Sequence, residues 1–331
     1  MYADVSEIET VGKTVVHALE DSVRRNLSDG LLLSGGLDTA ILVSLTVKYR
    51  KPDCVTVALK RTPGPDIAYA QQLARLFGLK HVIHYIDDEE MLDDITQAIK
   101  ILKSFDPMEI RNSAAAYLGL RVCRDLGLST VMTGDGGDEL FAGYSFYFDL
   151  SKQQLDAELK KMWTVMSFSS IPLAKALSIE VRLPVLDPKF KAFVMQMDAG
   201  LKVRSERGQM YGKWILRKAF ADYLPDNILW RPKAPLEVGT GTTTLPAYYD
   251  GLISDGEFAQ KQAAIFFQDK VKIRDKEQLV YYEIYRSCFG VPSANANEER
   301  KCPDCSANVK KEVSYCPACG AYPIEKCLHN N

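Results

Sequence analysis

Gly30–Thr46 reads GLLLSGGLDTAILVSLT. The apolar run at Gly30–Leu33 predicts a short strand, the two glycines a turn, and the residues from about Asp38 an amphipathic helix. A loop set between a strand and a helix presents unpaired backbone N–H groups in the field of the helix dipole, and that favours a bound polyanion. Gly35 and Gly36 let the backbone approach phosphates, the hydroxyls of Ser34 and Thr39 can donate to their oxygens, and Asp38 can hold Mg²⁺. A Walker loop would carry G-x-x-x-x-G-K-[ST], and its lysine is missing here. A magnesium ion and a lysine from elsewhere in the chain must then neutralise the anion. A plain glycine turn is the competing reading; the flanking strand and helix and the Asp-Thr ending favour the phosphate site.

Outward from this loop the pattern repeats. Upstream, Val5, Ile8, Val11, Val15, Leu19, Val23 and Leu27 draw one apolar stripe down a helix over residues 5–27. Downstream come a strand at Val55–Leu59, a helix through Ala68–Phe77, a strand at His81–Ile86, a helix at Ala114–Asp125 and a strand at Thr130–Thr133. Strands alternating with helices predict an α/β fold: a parallel sheet with helices on both faces. After about residue 150 the alternation fades into a helical second half, with 151–168, 188–198, 210–223 and 276–289 reading mostly as helices. VPSANANEER (Val291–Arg300) is polar and without apolar period, which suits a linker.

The 331 residues are 47% hydrophobic and 25% charged, enough for a sizeable core. A formal net charge of −2 and a pI near 6.2 give no global reason to expect nucleic acid or an anionic membrane as partner. The N-terminus has neither a basic n-region nor a long apolar stretch, so a cytoplasmic location is expected.

A second loop follows the Thr130–Thr133 strand: Thr133-Gly134-Asp135-Gly136-Gly137-Asp138-Glu139. Open parallel sheets bind ligands at the carboxyl ends of their strands, so both loops are expected on one edge. Asp138 can supply a second carboxylate for Mg²⁺, and Asp135 can orient a substrate amine or move a proton. A solvated acidic turn is the bland alternative.

SGGLDT, GDGGDELFAGY, then Ile179–Asp187 (IEVRLPVLD) and Lys213–Lys233 (KWILRKAFADYLPDNILWRPK) resemble, in order and spacing, the synthetase domain of the asparagine synthetase family, within the ATP-pyrophosphatase (PP-loop) superfamily. The likeness covers about residues 25–250. It implies an adenine nucleotide alpha hydrolase-like sheet, ATP cleavage between the α and β phosphates, and a carboxylate, aspartate first, captured as an acyl-adenylate before ammonia or another amine attacks it. Residue by residue it implies that Leu33 and Val57 contact adenine and that Ser34 to Thr39, with Gly35 and Gly36, hold pyrophosphate. Asp38 and Asp138 then resemble magnesium ligands, Thr133 and Gly134 nucleotide contacts, and Lys233 and Arg111 (in EIRNS) the cations on the α-phosphate. Three departures fall where acceptor and nucleophile should sit. Asp135 replaces the family's glutamate, Met108 and Glu109 replace two hydroxyl residues, and APLEVGTGTTTLP after Lys233 replaces F-S-D-G-V-G. The family's glutamine-using members begin with an N-terminal cysteine nucleophile in a separate amidohydrolase domain. This chain begins Met1-Tyr2-Ala3, so ammonia is expected from solution or from a separate glutaminase or other protein partner.

Cys302-Pro-Asp-Cys305 and Cys316-Pro-Ala-Cys319-Gly320 are two C-x-x-C knuckles whose spacing suits four thiolates around one structural Zn²⁺. About thirty residues bury too little surface to fold unaided, so the metal would supply much of the folding free energy. Redox pairs or disulfides compete, and Cys327 and His329 are substitute ligands. The organisation expected is a synthetase-like domain over 1–290, a linker over 291–300, and a zinc ribbon with its tail over 301–331. The ribbon reads either as a structural appendage or oligomer contact, or as a docking site for a protein or tRNA, the latter supported only by Lys301, Lys310, Lys311 and Lys326. Two further readings stay open: a tRNA-thiolating PP-loop enzyme, which would need a catalytic cysteine such as Cys54 or Cys123, and a non-catalytic nucleotide-binding homologue.

Overall fold

Five short strands form the central sheet: β1 (Gly30–Leu32), β2 (Asp53–Leu59), β3 (His81–Ile86), β4 (Thr130–Met132) and β5 (Glu180–Arg182), in the spatial order β3-β2-β1-β4-β5. β1 pairs in parallel with β2 and β4, and β4 with β5. This computed structural model describes residues 5–61, 64–233, 236–294, 300–310 and 313–324. The α/β class expected from the alternation holds. The helices threaded through it are α1 (Val5–Arg25), α2 (Leu37–Thr46), α3 (Asp66–Phe77), α4 (Asp88–Leu102) and α5 (Pro107–Asp125).

Three expectations need correcting. First, α2 is not amphipathic: Leu37 and every residue from Thr39 to Thr46 are buried. Its two interior hydroxyls are satisfied within the helix, Ser44 Oγ donating to Ile41 O at 2.8 Å and Thr46 Oγ1 to Leu42 O at 2.7 Å. Second, IEVRLPVLD contributes the fifth strand. Behind β5, Asp187 caps the helix Pro188–Met195 and accepts two hydrogen bonds from Arg25 of α1, at 3.0 and 2.7 Å. The arginine fork holds the Asp187 carboxyl below the usual range. Third, 210–223 is only partly helical. Residues Gln209–Tyr211 pair antiparallel with Arg204–Glu206 in a hairpin, and the helix begins at Trp214.

The chain groups into two compact units, Met1–Val57, Gly64–His84 and Gly119–Pro235 in one, Ala58–Pro63, Tyr85–Leu118 and Leu236–Asn331 in the other. The core of the first joins Val15, Leu19 and Val23 of α1 with Leu31, Ile41, Met132, Phe141, Phe190, Ile215 and Phe220. Among the described residues no helix is long and apolar enough to cross a membrane.

One buried charge in this core has a measurable cost. Lys202 is fully buried, its ammonium donating to Val194 O at 2.9 Å and lying 4.6 Å from the Trp163 ring centre. Burial pulls its pKa from 10.5 down to about 7. Between those values the unfolded chain holds a proton that the folded chain has released, so this group makes stability rise with pH through the window and imposes its full penalty below about 7. Lys202→Met should remove that rise, a difference on the order of 4 kcal/mol between pH 6.5 and 10.5. Urea melts of both proteins across that range check it; identical pH slopes would refute it.

Candidate active site

Strand order reverses between β1 and β4, because β1 leads outward through β2 to β3 on one side while β4 leads to β5 on the other. That reversal opens a crevice at the carboxyl ends of β1 and β4. The residues that follow those two strands are the Ser34–Thr39 and Thr133–Glu139 loops.

The first loop enters α2 through Gly36, which offers no side-chain cap, so the first-turn N–H groups of α2 are left for a ligand. Ser34 Oγ and Thr39 Oγ1 lie 3.2 Å apart, and Gly36 N–H donates to Ser34 Oγ at 3.2 Å. Gly35 has φ of +72°, and a Cβ there would lie 2.7 Å from Ala70 N and Asp66 O of α3. Only glycine fits that turn. Its carbonyl accepts from Arg231 Nη1 at 2.9 Å, while Arg231 Nη2 pairs with Asp66 at 2.5 Å and the guanidinium stacks 4.0 Å over Tyr69. Arg231 thereby ties the segment carrying Lys233 to the glycine loop.

The two loops meet on a lysine that the sequence reading passed over. Lys213 Nζ lies 2.5 Å from Asp38 Oδ2 and 2.8 Å from Asp138 Oδ1, with its side chain 6% exposed. Lys233 Nζ lies 2.7 Å from the same Asp138 oxygen and 4.0 Å from the Tyr144 ring centre. Glycines make the cluster fit: a Cβ at Gly137 would overlap the Asp38 carboxylate, and one at Gly143 would overlap Asp138. Burial works against the Lys213 ammonium, but Asp138 and Asp38 outweigh it and hold its pKa well above the usual range. Burial likewise opposes the Asp138 carboxylate, and the two lysines bring it below its usual value. Asp38, with burial dominant, is pushed up. Lys233 is pulled down by burial, with Asp138 opposing. The donor set suits magnesium and a nucleotide: the lysines take one oxygen of each carboxylate, leaving the second oxygens for a divalent cation, beside hydroxyls and an uncapped helix N-terminus.

The other residues singled out from the sequence have the following settings. Asp135 Oδ2 accepts from Thr133 Oγ1 at 3.0 Å and from Ser170 Oγ, and burial raises its pKa. Gly134 packs against Asp38, where an added Cβ would stand 3.1 Å from Asp38 Cβ. Leu33 is buried, its N–H donating to Val55 O at 2.8 Å and its carbonyl accepting from Thr56 Oγ1. Val57 is half-buried on β2. Arg111 belongs to the other unit, with Nη1 3.7 Å from Glu277 Oε2. Burial raises Glu277 to about 7. Beside Lys233 opens a pocket of about 370 Å³ lined by Tyr144, Phe146, Phe148 and Met210.

The sulfurs of Cys302, Cys305, Cys316 and Cys319 all lie within 4.8 Å of one another, with Cys302–Cys319 and Cys305–Cys316 at 3.6 Å. A disulfide needs about 2.0 Å, whereas tetrahedral zinc with bonds of about 2.3 Å separates its sulfurs by about 3.8 Å. The four-sulfur geometry suits the metal. Cys327, His329, Lys311 and Lys326 lie outside the described residues.

The asparagine synthase family model matches residues 11–171 and 172–304. The chain belongs to the asparagine synthase family. Asparagine synthetase B [glutamine-hydrolyzing] of Escherichia coli (strain K12) is 30% identical over 315 residues, 88% of this chain and 56% of the relative. A glutamine-hydrolyzing asparagine synthetase of Brassica oleracea is 29% identical over 305 residues, 84% of this chain and 51% of the relative. This family member thus spans about half the length of the curated relatives it matches. Among solved structures, NMN synthetase from Francisella tularensis aligns over 88% of this chain and 98% of its own at 17% identity and a TM-score of 0.37.

Proposed function

We infer that this chain is an ATP-dependent amide-forming ligase of asparagine synthetase type. It adenylates a carboxylate and passes the acyl group to ammonia or another amine. The observation that carries this reading is the convergence of Asp38, Asp138, Lys213 and Lys233 at the switch point of the sheet, in a chain of this family. A carboxylate oxygen attacks the α-phosphorus, the bond to the bridging oxygen breaks, and pyrophosphate leaves. The amine nitrogen then attacks the carbonyl carbon, the bond to AMP breaks, and the nitrogen loses a proton.

In this reading Ser34, Gly35, Gly36 and Thr39 hold the pyrophosphate, Leu33 and Val57 border adenine, and Thr133 and Gly134 contact the nucleotide. Asp38 and Asp138 take magnesium, which supplies neutralising charge to the phosphates. Lys233 is the cation that moves onto charge developing at the α-phosphate; its 29% side-chain exposure, beside Asp138 at 2.7 Å, supports that role. Arg111 supplies a further cation, and Asp135 acts on the acceptor side. The same reading takes 1–290 as the ATP-pyrophosphatase domain, 291–300 as a linker and 301–331 as a ribbon holding structural Zn²⁺. Cys54 and Cys123 speak for this ligase over a thiolating enzyme, since burial pushes both thiols up to about 12 and leaves almost no thiolate at neutral pH.

Purified protein incubated with ATP, magnesium, ammonium and aspartate should yield AMP and asparagine in equal amounts. Because the pocket beside Lys233 is lined by aromatic side chains, apolar carboxylates belong in the same assay, with tRNA as a further arm. AMP formed only with another carboxylate keeps the adenylation and discards aspartate. AMP formed only with tRNA discards the ligase.

A further inference from the structure

We propose that the four-cysteine centre binds one zinc ion and, through its second knuckle, positions the Arg111–Glu277 pair. This rests on the proposed function only for the use made of Arg111; the metal and its mechanical link stand on geometry within the second unit.

The second knuckle is fastened by its backbone to two elements. Ala318 O accepts from Phe105 N–H at 2.7 Å and from Ser104 Oγ at 3.3 Å. Cys319 O accepts from Arg274 Nη2 at 2.7 Å and Gln278 Nε2 at 3.0 Å, and Gly320 O from Arg274 Nη1 at 3.2 Å. Residues 104–106 lead into α5, where the Asp106 carboxylate accepts from Met108 N–H at 3.3 Å and Asp106 O from Ile110 N–H at 2.9 Å. Arg111 follows in that same first stretch of α5. Gln278 belongs to the first turn of the helix Lys276–Phe289: its backbone N–H donates to the capping Asp275 at 2.7 Å, and its side-chain oxygen accepts from Arg274 N–H at 2.8 Å. Glu277 is its immediate neighbour, 3.7 Å from Arg111 and accepting from Tyr281 Oη at 2.8 Å. The knuckle thus grips the starts of both helices that carry the pair.

A comparison within the ribbon shows that this docking is written into the sequence. Each knuckle places the residue after its second cysteine in the left-handed region, Ser306 at φ +60° and Gly320 at φ +73°. The turn alone therefore tolerates a side chain. Glycine occurs in the second knuckle because a Cβ at 320 would overlap the Asp106 carboxylate that caps α5. Free of metal, four buried thiols give a ribbon of this size little reason to stay folded, and the grip is lost with it.

The test uses the full chain. Metal analysis should find one zinc per chain, released by an organomercurial. Zinc removal should then accelerate amide hydrogen exchange about tenfold or more at residues 104–111 and 274–279. Gly320→Ala should retain its zinc yet show the same local acceleration, while the control Ser306→Gly shows none. In pyrophosphate release, Gly320→Ala should lower turnover in the parent protein but add no further loss to Arg111→Lys, the non-additivity expected when one residue acts through the other. Absence of zinc, or exchange at 104–111 unchanged by both zinc removal and Gly320→Ala, would overturn the proposal. These outcomes are read without any turnover and so are separate from failure of the ligase reading; additive losses in the turnover arm would remove the link to Arg111.

Discussion

Lys213→Met is expected to be among the most damaging single changes in this protein. It leaves two mostly buried carboxylates, Asp38 and Asp138, facing each other without the ammonium that lies 2.5 and 2.8 Å from them. Breaking a buried ionic cluster by removing one partner typically costs about 3–5 kcal/mol, because the surviving charges stay desolvated. The lysine is also fixed by backbone: it takes φ of +55°, and its N–H donates to Phe141 O at 2.9 Å. Urea denaturation should show the loss, and magnesium should restore part of it if the two carboxylates then share the divalent ion. Pyrophosphate release should fall to background. A variant as stable as the parent, with or without magnesium, would remove Lys213 from the account.

Lys233→Met should separate catalysis from folding. Its ammonium sits on the same Asp138 oxygen, but at 29% exposure the side chain is the accessible member of the cluster. Solvent-exposed pairs contribute about 0–1 kcal/mol and buried ones more, so this intermediate pair should lower stability well short of the loss in Lys213→Met. Removing a cation aimed at charge that develops in the transition state costs about 10²–10³ in kcat. The expected signature is a large drop in kcat with a small change in KM for ATP. A fall in stability without a fall in kcat would make Lys233 a structural residue.

Lys213 shows where reading the sequence ran out, whereas the family resemblance had already marked Lys233. The glycine loops were legible because turn chemistry leaves a local trace: SGG after an apolar run needs a backbone that only glycine supplies, and Gly35 at φ +72° against α3 is that position. The absence of a Walker lysine required a cation from elsewhere, yet nothing local marks which one. Lys213 lies 175 residues from Asp38 in the chain. It becomes special only when the crossover at the switch point brings the segments together. Arg231, two residues before Lys233 in the quoted WRPK stretch, escaped for the same reason. The strand Glu180–Arg182 was missed because three residues carry too little period, and its pairing with β4 is a tertiary fact. α4 is a different kind of omission. Asp87 caps it, and Met91, Ile95, Ala98 and Ile99 recur at helical spacing, so the signal was present in the sequence. Met210 and Tyr211, at the end of the hairpin, fell inside the helix expected over 210–223 because the apolar residues after Lys213 extend a helical pattern backward.

The central claim is that ATP is cleaved between its α and β phosphates by attack of a carboxylate oxygen. Turnover with an ¹⁸O-labelled acceptor carboxylate, ATP, magnesium and ammonium tests it most directly. The account predicts AMP and pyrophosphate in equal amounts, with one ¹⁸O transferred from the carboxylate to each AMP. ADP and inorganic phosphate as products, or AMP free of the label, would contradict it.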